Sequence, residues 1–235
     1  MKGERYWVVV PAAGVGRRMG ANVPKQYMQI SGQSVLLHTL KRLASCPGVS
    51  GVFLGVSAND PYWQDICQEA SFEAPWLKSV CDGGQERADT VSRILVDMDG
   101  KVEQNDWVLV HDAVRPCISH KDIVKLMKQA SQHDGGLLGR PISDTVKLTD
   151  SQNRVTKTIS RDGLWAAQTP QMFRYGELRQ ALIDAKKKGR VITDEASAME
   201  LAGFHPVMVQ GSSDNFKITV PGDLELAEIF ILKQK

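Results

Sequence analysis

Cations gathered beside glycines are the first chemical signal in the chain. Gly14, Gly16 and Gly20 enclose Arg17 and Arg18, and Lys25 follows directly after Pro24. Glycines permit a tight turn and let backbone N–H groups approach a phosphate closely. The spacing is GxGxxxG, neither the GxGxxG of dinucleotide-binding turns nor a P-loop with its Lys-Ser/Thr. Two or three cations exceed what a pyrophosphate bridge needs. They suit a nucleoside triphosphate, whose leaving pyrophosphate gains charge during attack. A solvated basic turn has the same composition, so the loop is informative only in company.

Three further clusters supply it. Asp112 ends an apolar run at 107–110 and is followed by Arg115. Ligands of open α/β sheets bind outside the carboxyl ends of the strands, where a carboxylate can hold Mg²⁺, or Mn²⁺ in its place, against a triphosphate. Capping of the next turn is the alternative role for Asp112, and Arg115 can meet an anion or pair with it. His111 reads as a packed side chain rather than a base. Residues 82–90 form a glycine turn (Gly83, Gly84) running into a helix N-terminus, where exposed amides can read a base edge or an anion. Asp214 and Lys217 stand three apart on an extended segment. Together these clusters suggest one anionic, metal-assisted site.

The elements that must position them follow from hydrophobic patterning. Residues 6–13, 51–56, 107–110 and 136–139 are continuous apolar runs, suited to parallel strands buried on both faces. Helix-like stretches at 35–43, 60–70, 86–98 and 120–132 lie between them. This alternation predicts an α/β fold: a single Rossmann-like, doubly wound, mostly parallel sheet spanning one domain, residues 1–235. Residues 144–149 and 154–160 alternate polar and apolar side chains around a turn, which predicts an inserted β-hairpin arm at about 142–162. Helices at 175–188, 194–201 and 221–232 and a strand at 206–209 complete the expected order.

Composition excludes other classes. The 235 residues carry 29 Lys and Arg against 27 Asp and Glu, a formal net charge of +2. That is too small to suggest nucleic acid or an anionic membrane as the main partner. No apolar stretch approaches the ~20 residues of a membrane span. Cys46, Cys67, Cys81 and Cys117 show no CxxC or Cys/His spacing, arguing against zinc or a disulfide framework. With no room for a signal peptide before the first strand, the expected location is cytoplasmic.

Residues 11–20 with Pro24, Lys25, Gln26 and Tyr27 resemble the signature of the 2-C-methyl-D-erythritol 4-phosphate cytidylyltransferase family. The segments 82–84, 111–116, 168–171, 192–197 and 214–219 resemble that family's motifs too, in order and without large insertions. The resemblance implies transfer of CMP from CTP to methylerythritol phosphate with release of pyrophosphate, in non-mevalonate isoprenoid precursor biosynthesis. It implies Mg²⁺ as cofactor and a homodimer formed through the arm. Arg18 and Lys25 match residues stabilising the transition state, and Arg161 and Lys217 match those holding the attacking phosphate. Ala12, Ala13, Gly84 and Thr90 match the cytosine pocket, beside the loop glycines Gly14 and Gly16. Asp112 matches a ribose and metal contact, and Asp214 a second metal neighbour. Arg115, Thr145, Thr169 and Thr193 are expected around the acceptor, with Thr145 reaching the neighbouring subunit's pocket. Gln85 stands where the family often has an acidic residue, and Thr90 where serine is frequent. The rival readings are a cytidylyltransferase for another sugar-alcohol phosphate, such as ribitol 5-phosphate, and a nonenzymatic nucleotide-binding regulator. A dinucleotide oxidoreductase is disfavoured by the glycine spacing.

Overall fold

The computed structural model describes residues 4–14, 23–68 and 72–234. In chain order these form β1 (Tyr6–Pro11), a 3-10 turn (Lys25–Tyr27), β2 (Gln29–Ile30), β3 (Gln33–Ser34), α1 (Val35–Ala44), β4 (Val49–Val56) and α2 (Pro61–Gln68). There follow β5 (Leu77–Asp82), α3 (Arg87–Asp97), β6 (Trp107–Val110), α4 (His120–Ala130) and β7 (Gly136–Pro141). The last part holds β8 (Val146–Thr149), β9 (Val155–Ile159), β10 (Trp165–Arg174), α5 (Tyr175–Lys187), α6 (Glu195–Leu201), β11 (Val207–Gln210) and α7 (Gly222–Lys233).

Continuous apolar runs produce strands covered on both faces. Along β1, Val8 and Val10 join one buried cluster with Leu36 and Leu40 of α1 and Leu126 of α4. The alternate residues Trp7 and Val9 join another, with Val91 and Ile94 of α3 and Leu178 of α5. Successive side chains of a strand point to opposite faces, so this division is the doubly wound arrangement expected from the sequence. Side-chain caps set two helix starts: Ser34 Oγ accepts from Leu37 N–H and Ser119 Oγ from Asp122 N–H. A third, smaller cluster packs α7 through Ala227 and Ile231 against Val114 and Ile218.

The seven-stranded sheet has the order β11-β7-β10-β6-β1-β4-β5. Neighbours pair in parallel except β10, which runs antiparallel to both β6 and β7. The strand order reverses at β1, between β4 and β6, which opens the crevice where open α/β sheets bind ligands. The hydrophobic pattern does not reveal β5 or β10, the longest strand described. Its register breaks between Ala167 and Gln171, around Pro170, and proline within sheets is confined to edges and such bulges.

The arm is present as a two-stranded antiparallel sheet of β8 and β9, separate from the seven strands. Its side chains are largely exposed, with Leu148 and Val155 more than half open to solvent. A lone hairpin is at best marginally stable in water.

Candidate active site

The carboxyl ends of β1 and β6 and the start of α3 enclose a cavity. Its wall comprises Pro11, Ala12, Ala13 and Gly14, then Lys25 and Gln26, then Gly84 to Arg87 with Thr90, then Asp112 to Val114, and finally Lys217. Each wall has a local cause. Beyond β1, Ala12 N–H donates to the Gly55 carbonyl (2.7 Å). The buried Gln26 amide donates to the carbonyls of Ala12 and Gly14, both at 2.9 Å, so the start of the glycine loop is gripped from below. Lys25 Nζ reaches the Ile218 carbonyl at 3.4 Å.

The 83–84 turn needs glycine because of close approach. A Cβ at Gly83 would strike Ala13 and Thr90, and one at Gly84 would strike Asp89. Thr90 is buried; its hydroxyl accepts from Gly84 N–H (3.0 Å) and donates to the Glu86 carbonyl (3.2 Å). Thr90 therefore shapes the turn rather than offering a free hydroxyl. The methyl that distinguishes it from serine fits because residue 55 is glycine: a Cβ there would lie 2.7 Å from Thr90 Cγ2.

Asp112 is the electrostatic centre. It is 7% exposed and meets three cations. Arg87 Nε lies 2.9 Å from Oδ1; Arg115 Nε (3.2 Å) and Lys217 Nζ (3.0 Å) face Oδ2. Burial pushes the carboxyl up, but the charges of Arg87, Lys217 and Arg115 outweigh it and hold it well below the usual carboxylate range. Arg115 also donates from Nη1 to the Asn215 carbonyl (2.7 Å), tying the 112–115 turn to the segment bearing Lys217.

Behind this carboxylate runs a buried polar chain. Asp112 N–H donates to Thr169 Oγ1 (3.0 Å), which lies 3.0 Å from His111 Nδ1, while His111 Nε2 lies 3.1 Å from the Arg115 carbonyl. A carbonyl only accepts, so Nε2 carries the proton and the Thr169 hydroxyl donates to Nδ1. The Thr169 hydroxyl proton is thus committed to His111, and the residue acts on the site through the 111–115 turn.

Burial pushes His111 down to about 4, so it stays neutral at physiological pH and is no acid–base group there. An unfolded histidine protonates near 6.5. Stability from keeping His111 neutral is therefore complete above about pH 6.5 and is lost as pH falls toward 4, by about 2–3 kcal/mol. Urea midpoints compared at pH 7 and 4.5 are expected to show this fall in the wild type and a shallower one in His111→Asn.

The structure brings together Ala12, Ala13, Gly14, Lys25, Gly84, Thr90, Asp112 and Lys217 of the expected residues, with Arg115 joined through Asp112. Gly16 and Arg18 lie outside the described residues. Thr145 and Arg161 are exposed on the arm and its base, where Arg161 donates to the Ser143 carbonyl; neither lines the cavity. Thr193 is exposed just before α6, and Asp214 is half-buried with Oδ1 3.2 Å from Ser213 Oγ. Sequence reasoning did not single out Gln26, Arg87 or Glu195. All three sit inside segments quoted there (Pro24 to Tyr27, 82–90 and 192–197), but their partners are remote in sequence or in the backbone.

Among the described residues, no group of three or more His, Cys, Asp or Glu side chains is placed to hold a metal ion. Of the two carboxylates expected at a metal, Asp112 lines the cavity, whereas Asp214 is not among its lining residues. Mg²⁺ is commonly bound by one or two carboxylates plus substrate phosphates, so this donor set fits a metal that shares its ligands with a triphosphate.

The start of a glycine loop, a buried carboxylate and converging cations at the switch point of such a sheet suit a nucleotidyltransferase. The model of the 2-C-methyl-D-erythritol 4-phosphate cytidylyltransferase family matches residues 6–234, and the chain belongs to that family. A relative of that name from Hahella chejuensis is 49% identical over 232 residues, covering 98% of this chain and 95% of its own. One from Vibrio vulnificus is 47% identical, with 97% and 94% covered. The crystal structure of the Francisella tularensis enzyme superposes with a TM-score of 0.82 at 34% identity, covering 97% of this chain and 100% of that one. A crystal structure of a 4-diphosphocytidyl-2C-methyl-D-erythritol synthase does so at 0.83, with the same identity and coverage.

Proposed function

We propose that the chain transfers CMP from CTP to 2-C-methyl-D-erythritol 4-phosphate, releasing pyrophosphate. The observation that carries this is the buried Asp112 ringed by Arg87, Arg115 and Lys217 at the sheet's switch point, in a chain matched by the family model almost end to end. An oxygen of the acceptor phosphate attacks the α-phosphorus in line, and pyrophosphate leaves. Backbone groups at Ala12, Ala13, Gly14 and Gly84 bind and orient the nucleotide, with Thr90 holding the turn. Arg18 and Lys25 stabilise the charge that grows on the phosphorus oxygens and the leaving pyrophosphate. Lys217 presents its ammonium to the acceptor phosphate, oriented by Asp112. Mg²⁺, held by Asp112 and Asp214 together with the triphosphate, would neutralise phosphate oxygens when bound.

Pyrophosphate release from CTP tests the reading directly. It is expected with methylerythritol phosphate and Mg²⁺, to collapse in EDTA, and to be far slower with ribitol 5-phosphate. Release with no acceptor preference, or undiminished in chelator, would contradict the reading. No helix among the described residues is long and apolar enough to cross a membrane. The free cysteines support a reducing, cytoplasmic setting.

The arm gives the proposed site a second subunit. Its exposed apolar residues Leu148 and Val155 favour burial against a two-fold copy, the usual homodimer symmetry. Thr145 and Arg161 would then complete the acceptor pocket of the neighbour. Lys25→Ala and Arg161→Ala proteins, each inactive, are expected to regain roughly a quarter of wild-type sites when unfolded and refolded together. If Arg161 serves its own subunit, every pocket in the mixture carries a lesion and no activity returns.

A further inference from the structure

Arg87 opens α3 immediately after the 83–86 turn and projects its guanidinium between two carboxylates. Nε donates to Asp112 Oδ1 at 2.9 Å, while Nη1 and Nη2 donate to Glu195 Oε1 and Oε2 at 2.7 and 3.0 Å. Glu195 is 1% exposed and does not line the cavity. It opens α6, directly after Asp194, whose capping box with Ser197 fixes the turn. Gln171 of β10 clamps the same turn, donating to Asp194 Oδ2 (2.9 Å) and accepting from Ala196 N–H (2.8 Å). Glu195 is therefore a carboxylate held rigidly by backbone geometry, with no part in the reaction already derived.

We infer that Arg87 and Glu195 are a positioning pair for Asp112, an inference that rests on Asp112 being the nucleotide contact. An arginine beside a lone carboxylate favours a bidentate fork on both oxygens. Glu195 takes that fork through both Nη atoms, and Arg87 meets Asp112 through Nε alone. Oδ2 is thereby kept for Arg115 and Lys217. Arg87, Arg115 and Lys217 against Asp112 and Glu195 leave one positive charge over, where the loss of Glu195 would leave two. The pair also ties the start of α3, which lines the cavity, to the start of α6.

A buried ion pair replaced at both ends by apolar residues of similar volume commonly leaves a protein folded. That separates positioning from mere packing. Arg87→Met/Glu195→Leu is expected to keep a wild-type unfolding temperature within several degrees yet lose kcat/KM for CTP about 10- to 100-fold, the range for supporting partners of a site. In an Asp112→Asn background the double substitution is expected to cost little more, because the pair acts through that carboxylate. Arg87→Lys keeps the cation but cannot span both carboxylates, and supplies the same comparison should the apolar pair not fold. Wild-type kinetics in the folded double variant or in Arg87→Lys would overturn the inference, as would a fully multiplicative effect with Asp112→Asn. CTP affinity measured by calorimetry on the same proteins reports on the pair without the acceptor. A wild-type protein that binds CTP but forms no product would instead overturn the functional reading.

Discussion

Asp112→Ala is expected to cost about 3 kcal/mol of stability and to abolish turnover. Removing one partner of a buried ion pair typically costs about 3–5 kcal/mol, because the other charge stays behind uncompensated. Here three charges lose their partner, but not equally. Arg87 keeps Glu195, and the Lys217 side chain is 38% exposed, so water screens it. Arg115, at 12% exposure, bears most of the loss, which places the expected figure at the lower end. Because burial opposes ionisation of Asp112 while its cations favour it, its net stabilising contribution is present at neutral pH and lost as acid protonates it. A urea titration of the variant against wild type reads the stability change. An unaltered midpoint would show that the cations do not depend on Asp112.

Lys25→Ala and Lys217→Ala are expected to lower kcat by about 10²–10³, roughly 2.7–4 kcal/mol, the scale of a lost donor to developing charge. The two should differ in KM. Lys25 belongs to the glycine-loop side, so its loss falls on the chemical step with CTP affinity nearly kept. Lys217 carries the acceptor phosphate and should also raise the acceptor KM. Its position at 3.0 Å from Asp112 Oδ2 leaves further N–H donors on the ammonium for phosphate oxygens. Steady-state kinetics with each substrate varied separates these effects. Wild-type kcat in either variant would remove that lysine from the reaction.

Much of the architecture is legible in the sequence because its causes are local. Tyr6 to Pro11 and Trp107 to Val110 are apolar at every position since both faces of a central parallel strand are covered, and that pattern survives in one dimension. Ser34 and Ser119 sit where helix caps are needed. The hairpin declares itself by alternation, and the glycines at 83 and 84 mark a turn that tolerates no Cβ. These features, with the motifs spaced along the chain, suffice for fold class and family.

What the tertiary structure alone decides lies in contacts between residues remote in sequence. β10 takes its place between β6 and β7, antiparallel to both, although its register break at Pro170 disguises it as a loop. Thr169 is chemically a candidate for the acceptor, yet that strand's position delivers its hydroxyl to His111 and the Asp112 amide. Arg87 and Glu195 are 108 residues apart, and neither carries a local sign of the other. Asp112 gathers cations from α3, its own turn and the 214–219 segment. Local periodicity reports which face of an element is buried; which charges meet across the sheet depends on strand order, and strand order is set by packing of the whole chain.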